Sequence, residues 1–172
     1  HLSEVAAQQP HDLPVRQALL VIAERLGRYE ELAKLLFAMT ELAATPAESL
    51  QYGLQCAAAF ATKVGDEVMA AQVLRFLCAR EDVDVDSPEL QGALRQHGLA
   101  EELSLLLERS IGANADPEDG RLLELVELLT GQLNDPARAV SWCERLIEAF
   151  PNADVPRRLH VDTLKRHPQT GD

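Results

Sequence analysis

Apolar residues recur along the chain at steps of three and four, and short polar stretches carrying proline, glycine or asparagine interrupt them. The pattern is most regular after Asp116. Leu122, Leu125, Val126, Leu129 and Leu133 fall on one face of a helix, and past Asn134 the set Ala139, Val140, Cys143, Leu146, Ile147 and Phe150 repeats the arrangement. Two such stripes joined by a few polar residues predict an antiparallel helical hairpin, because each apolar face needs another to leave water. The same reading places hairpins over residues 12–43, 46–80, 87–112 and 116–150, a helical fragment before Pro10, and a helix over 155–167 that has no hairpin partner. Residues 168–172 are expected to fray.

Helix starts carry a matching chemical signature. Thr45-Pro46, Ser87-Pro88, Asp116-Pro117 and Asp135-Pro136 each put an oxygen-bearing side chain ahead of a proline. The oxygen can accept an orphan N–H of the first turn, and the proline's fixed φ suits that turn. Glu48, three residues after Thr45, completes a capping box. The turns inside the hairpins align on residues able to take left-handed φ: Gly27, Gly65, Gly98 and Asn134.

These turn residues are 38, 33 and 36 positions apart, a period that marks stacked helix pairs, since one hairpin cannot bury its apolar faces alone. A longer period overlies it. Glu30-Glu31-Leu32 recurs as Glu101-Glu102-Leu103, and Asp12-x-Pro14-x-Arg16 as Asp154-x-Pro156-x-Arg158, with Asp86-x-Pro88 between them. Gly27-Arg28-Tyr29, Gly65 with Ala70, and Asn134 with Ala139 and Pro151 resemble the turn region of tetratricopeptide repeats (TPR). Leu32 and Leu103 stand where that family has a small alanine, the aromatic usual early in its first helix is missing, and the period drifts, so the resemblance is to a degenerate member. It implies an all-α, right-handed solenoid: one repeat domain over 1–172, with four hairpins and partial repeats at both ends. The chain opens on His1-Leu2 in what reads as the tail of a helix, so it is expected to be a fragment of a longer array.

Composition sharpens this picture. Hydrophobic residues make up 47% of the 172, enough for a continuous core, and aromatics only 4%, as suits helices rich in alanine, leucine, glutamate and arginine. Twenty-eight acidic residues against 16 basic ones give a net charge of −12, which repels phosphate backbones and anionic lipid on average, so nucleic acid is not expected as a partner. No apolar run is long enough for membrane insertion by this segment. Cys56, Cys78 and Cys143 form no Cys-x-x-Cys pair and are expected to be buried apolar residues. Their scarcity suits a reducing compartment, the cytoplasm, with the bacterial envelope as the alternative. Alanine, leucine and arginine enrichment points to a bacterial source.

Candidate chemistry is sparse. Asp82-x-Asp84-x-Asp86 resembles the opening of a calcium loop, but Ser87 replaces the required glycine and Ala93 the closing glutamate. The better reading is an acidic linker that caps a helix through Asp86 or Ser87. His160 and His167 are two helical turns apart, about 10.5 Å along the axis, too far to share one metal. His97 is expected to meet free carbonyls at a helix C-terminus, while His1 and His11 support no site. Glu30-Glu31 and Glu101-Glu102 are read as solvated faces, and Trp142 and Tyr29 as packing residues. No nucleophile elbow, zinc-protease or phosphate-loop sequence occurs, so neither an enzyme nor a bound cofactor is expected.

The family resemblance implies a concave groove lined by the first helix of each hairpin. Its register selects Gln17, Glu24 and Arg25, then Tyr52, Gln55, Thr62 and Lys63, then Arg95, Gln96, Arg121, Glu124 and Gln132. Tyr52, Gln55, Arg95, Arg121 and Glu124 are the expected partner-binding residues. Gln17 and Val21 occupy the places of the lysine and asparagine with which some members clamp acidic C-terminal tails, so that mode is not expected. The implied function is a protein-interaction scaffold for a partner protein or peptide; the alternative is a regulatory or assembly region of a larger enzyme, signalling or envelope protein. An unusual all-α enzyme is a third reading, for which the sequence reveals no polar pocket. Self-association through the cut ends of the array is a further expectation.

Overall fold

A computed structural model describes residues 13–113, 116 and 120–170, and every regular element within them is helical. The helices are α1 (Leu13–Arg25), α2 (Tyr29–Leu42), α3 (Pro46–Ala59) continued by a π-helical turn (Phe60–Val64), α4 (Glu67–Ala79), α5 (Pro88–Gln96), α6 (Ala100–Ala113), α7 (Gly120–Gly131), α8 (Pro136–Ala149) and α9 (Asp154–Arg166). A 3-10 turn, Pro168–Thr170, follows. Two compact units divide the chain, His1–His97 and Gly98–Asp172.

In the first unit, the starts and stops follow the local chemistry. Arg28 N–H closes the α1–α2 turn on the Ala23 carbonyl at 2.9 Å, with Gly27 at φ 65°. Thr45 Oγ1 accepts from Glu48 N–H at 3.2 Å and starts α3, and Ser87 Oγ accepts from Leu90 N–H at 3.2 Å and starts α5. An unforeseen cap is Asp66, whose Oδ1 takes the Met69 N–H at 3.0 Å and starts α4 immediately after Gly65, at φ 78°. The π turn ahead of Gly65 was also not expected; its wider winding takes up extra chain and contributes to the long first interval between turns.

Consecutive helices of this unit pack on one another, and α5 rests on both α3 and α4. The α2–α3 pair is tied by polar bonds as well as by packing. Ser49 Oγ donates to the Thr40 carbonyl at 2.8 Å, and Cys56 Sγ donates to the Ala33 carbonyl at 3.2 Å. The α3–α4 pair closes on Gly53, where a Cβ would stand 2.7–2.9 Å from carbons of Leu77, itself fully buried. Ala70, Val73 and Leu74 of α4 complete this core, together with Leu90 and Leu94 of α5.

The second unit repeats the scheme. Asn134, the one non-glycine residue with positive φ among the described residues (50°), turns α7 into α8, and Asp135 Oδ1 caps α8 by accepting from Arg138 N–H at 3.1 Å. Leu106, Leu107, Leu122, Leu125, Leu129, Ala139 and Cys143 form its core. Helix α9 packs on α8 and α7 through buried Pro156, Leu159 and Thr163. Leu133, Ile147 and Phe150, expected on the apolar stripes, are only half-buried.

Several expectations are revised. Residues 168–170 do not fray: Thr170 N–H and Oγ1 both donate to the His167 carbonyl, at 3.1 and 2.7 Å, and wind the 3-10 turn. Cys78 is half-buried, because it sits at the edge of the α4 stripe, while Cys56 and Cys143 are buried as expected. Arg16 is buried and Arg158 exposed, so the longer period repeats residue types without repeating their surroundings. The hairpin expected over 87–112 straddles the two units: α5 belongs to the first, α6 to the second. The expected start at Pro117, the helical fragment before Pro10, His1, His11, Asp12 of the longer repeat, and residues 171–172 lie outside the described residues.

Candidate partner-binding surface

Polar side chains in the first unit are engaged in several local ties. Lys63 Nζ lies 5.6 Å from the centre of the Tyr29 ring, a cation–π contact that accounts for both residues, so half-buried Tyr29 is not a core side chain. His97 differs from expectation: its Nδ1 stands 2.8 Å from Glu67 Oε2 instead of meeting helix carbonyls, joining the end of α5 to the start of α4. Arg80 grips Asp82 with two donors, Nε to Oδ1 at 2.9 Å and Nη2 to Oδ2 at 2.8 Å. That fork holds the Asp82 carboxyl below its usual range and raises the guanidinium.

The acidic linker therefore has structure of its own. Asp84 Oδ1 accepts from the Asp86 N–H at 3.1 Å, and Ser87 Oγ, besides capping α5, donates to Glu89 Oε2 at 3.0 Å. Opposite it, the exposed side of α3 presents Pro46, Ala47, Leu50 and Leu54. Between them runs a half-open groove of about 570 Å³, carbon-lined along α3 and bordered by Asp82, Asp84 and Glu89. Spacing alone shows an apolar face at 47, 50 and 54, but which loop folds over it is a tertiary fact, and the groove was not foreseen.

Of the residues expected to bind a partner, Tyr52 and Gln55 sit on α3, half-buried and exposed respectively, and Arg95 is exposed on α5 with its Nη2 donating to Gln91 Oε1 at 3.3 Å. None of the three is among the residues that line the groove. Arg121 and Glu124, both half-buried, belong to α7 in the second unit, where Arg121 Nη1 bonds Ser110 Oγ of α6.

That unit is stapled by Arg138 of α8. Its guanidinium reaches three side chains of α6: Glu108 at 2.7 Å, Glu101 at 3.0 Å and Ser104 Oγ at 3.2 Å. These bonds, Glu108 first, raise the guanidinium further above its already high range, against the opposing effect of burial. Glu101 is therefore a tie and not only a solvated face, and Glu108 is structural. Trp142 is half-buried with Arg145 stacked 4.2 Å from its ring centre. A smaller cleft of about 200 Å³ lies between α7 and α9, lined by Val126, Glu127, Arg158 and Asp162 among others.

Among the described residues, no three metal-ligating side chains converge, and no helix is long and apolar enough to cross a membrane. Compared with protein-family models, with curated proteins and with solved structures, the chain matches none.

Proposed function

We propose that this chain is a TPR-like helical-repeat scaffold that holds a partner protein or peptide and catalyses nothing itself. The observation that carries the reading is the repeated turn. Gly27, Gly65, Gly98 and Asn134 all take left-handed φ, between 50° and 78°, at the spacing read from the sequence. Five residues past the second and fourth of them, Ala70 and Ala139 are fully buried, as a close approach of paired helices requires. Contacts between alternate helices, α3 with α5 and α7 with α9, further support stacked first helices, the arrangement from which a solenoid groove is made.

On this reading Tyr52, Gln55, Arg95, Arg121 and Glu124 contribute polar and aromatic contacts to the partner, tyrosine and arginine being frequent anchors of interfaces. Alanine variants at Tyr52, Arg95 and Arg121 should each weaken binding of an identified partner by about 1 kcal/mol or more without loss of helicity. Glu144 of α8 serves as the reference position; Glu108 does not, because its removal would break the Arg138 staple. Affinities unchanged across Tyr52, Arg95, Arg121 and Glu144 variants would remove these side chains as binding anchors.

A further inference from the structure

We infer that the groove between α3 and the 82–89 segment receives a partner peptide presenting an apolar side chain flanked by lysine or arginine. This rests on the scaffold reading and gives it a location and a ligand chemistry. Ala47, Leu50 and Leu54 supply the apolar wall; Asp82, Asp84 and Glu89 supply the border.

The three carboxylates are fixed in advance. Arg80 holds Asp82, the Asp86 N–H holds Asp84, and the Ser87 hydroxyl holds Glu89. Asp84 and Glu89 are held by neutral donors and keep their full charge and spare lone pairs for an incoming cation, whereas Asp82, neutralised by the Arg80 fork, shapes the border; the ordering of the border precedes binding. Helix-dipole stabilisation explains Glu89, in the first turn of α5, but not Asp82 and Asp84, which precede the cap at Ser87.

Carbon surface bordered by fixed negative charge is complementary to lysine and arginine, whose aliphatic stems lie on apolar surface while the head reaches an anion. It is equally hostile to acidic ligands, and the chain's net charge of −12 adds long-range attraction for cationic ones. The volume, about 570 Å³, lies within the range of built ligand sites, and its open side suits a chain segment passing along it better than an enclosed metabolite.

Fluorescence anisotropy with the full chain and two short labelled peptides, one alternating leucine with arginine and one alternating leucine with glutamate, tests this. The leucine–arginine peptide should bind, and the leucine–glutamate peptide should not. Ala47→Trp, which fills the groove, and the double variant Asp84→Asn/Glu89→Gln, which keeps its shape, should each weaken binding about tenfold at unchanged ellipticity. Binding of the leucine–arginine peptide to both variants with wild-type affinity, or equal binding of the two peptides, would overturn the inference. A peptide-display selection on the full chain separates it from the broader reading. Basic, apolar sequences that lose binding to Ala47→Trp support the groove. Sequences of another composition, or ones indifferent to that variant, overturn the groove and leave the scaffold reading standing. Recovery of no binding sequence overturns both.

Discussion

Cys56 and Cys143 carry thiols that burial pushes up from 9.0 to about 12 and about 11; for Cys143, neighbouring Glu144 adds to the effect. Thiolate is the reactive form, so both should resist thiol reagents near neutral pH until the chain unfolds, while half-buried Cys78 reacts first. Reagent titration with and without urea reads this directly. The same shifts have a stability consequence. Between pH 9 and the raised values the unfolded chain loses thiol protons that the folded chain keeps, so stability is unaffected below pH 9 and falls as pH rises above it. Urea midpoints taken across that range should fall less steeply for Cys56→Ala than for the parent. Arg138 is the other decisive side chain. Its substitution by methionine strands half-buried Glu108 and should cost roughly 1–2 kcal/mol; a double-mutant cycle with Glu108→Gln should show coupling, whereas a cycle with the more exposed Glu101 should show little.

At the scale of the helices, stability depends on how closely paired elements approach. Gly53 lets α3 settle onto Leu77, which has no exposed surface to swing into, so Gly53→Ala should be destabilising although alanine is the better helix former. Ala70→Leu and Ala139→Leu add volume at fully buried positions where the chain turns back. Overpacking of this kind costs roughly 1–3 kcal/mol per site, readable as a lowered urea midpoint. Wild-type midpoints for both leucine variants would mean that the turns at Gly65 and Asn134 do not set the register of their hairpins. The alanine positions were legible through the resemblance of the turns at Gly65 and Asn134 to those of tetratricopeptide repeats; leucine stands at the same place after Gly27 and Gly98. Gly53 was not, since a glycine within a helical stripe has the same local pattern whether it faces solvent, as Gly92 does, or another helix.

For the molecule as a whole, far-ultraviolet circular dichroism should show helix without a strand component, in keeping with the elements of the described residues. Self-association belongs to this scale too. Val21 and Ile22 of α1, Leu26 just past its end, and Val161 of α9 are each more than two-fifths exposed, and the first three lie within six residues of one another. Light scattering should report a mass that rises with concentration, and Ile22→Lys/Leu26→Lys should suppress the rise. A strict monomer at high concentration would count against association through these helices.

Helix, turn and cap were determined by residues a few positions apart. A threonine, serine or aspartate oxygen reaches an N–H three residues on, glycine or asparagine takes the left-handed turn, and apolar steps of three and four choose the buried face; such effects are complete within one or two turns of chain. The partners of long side chains were decided only in three dimensions. Arg138 finds Glu108 thirty residues away, His97 finds Glu67 at the same separation, and Asp82 and Asp84 come to border an apolar face near residue 50. No local spacing encodes these meetings, because they depend on how one helix is rotated against the next, and that rotation is set by the packing of the whole core.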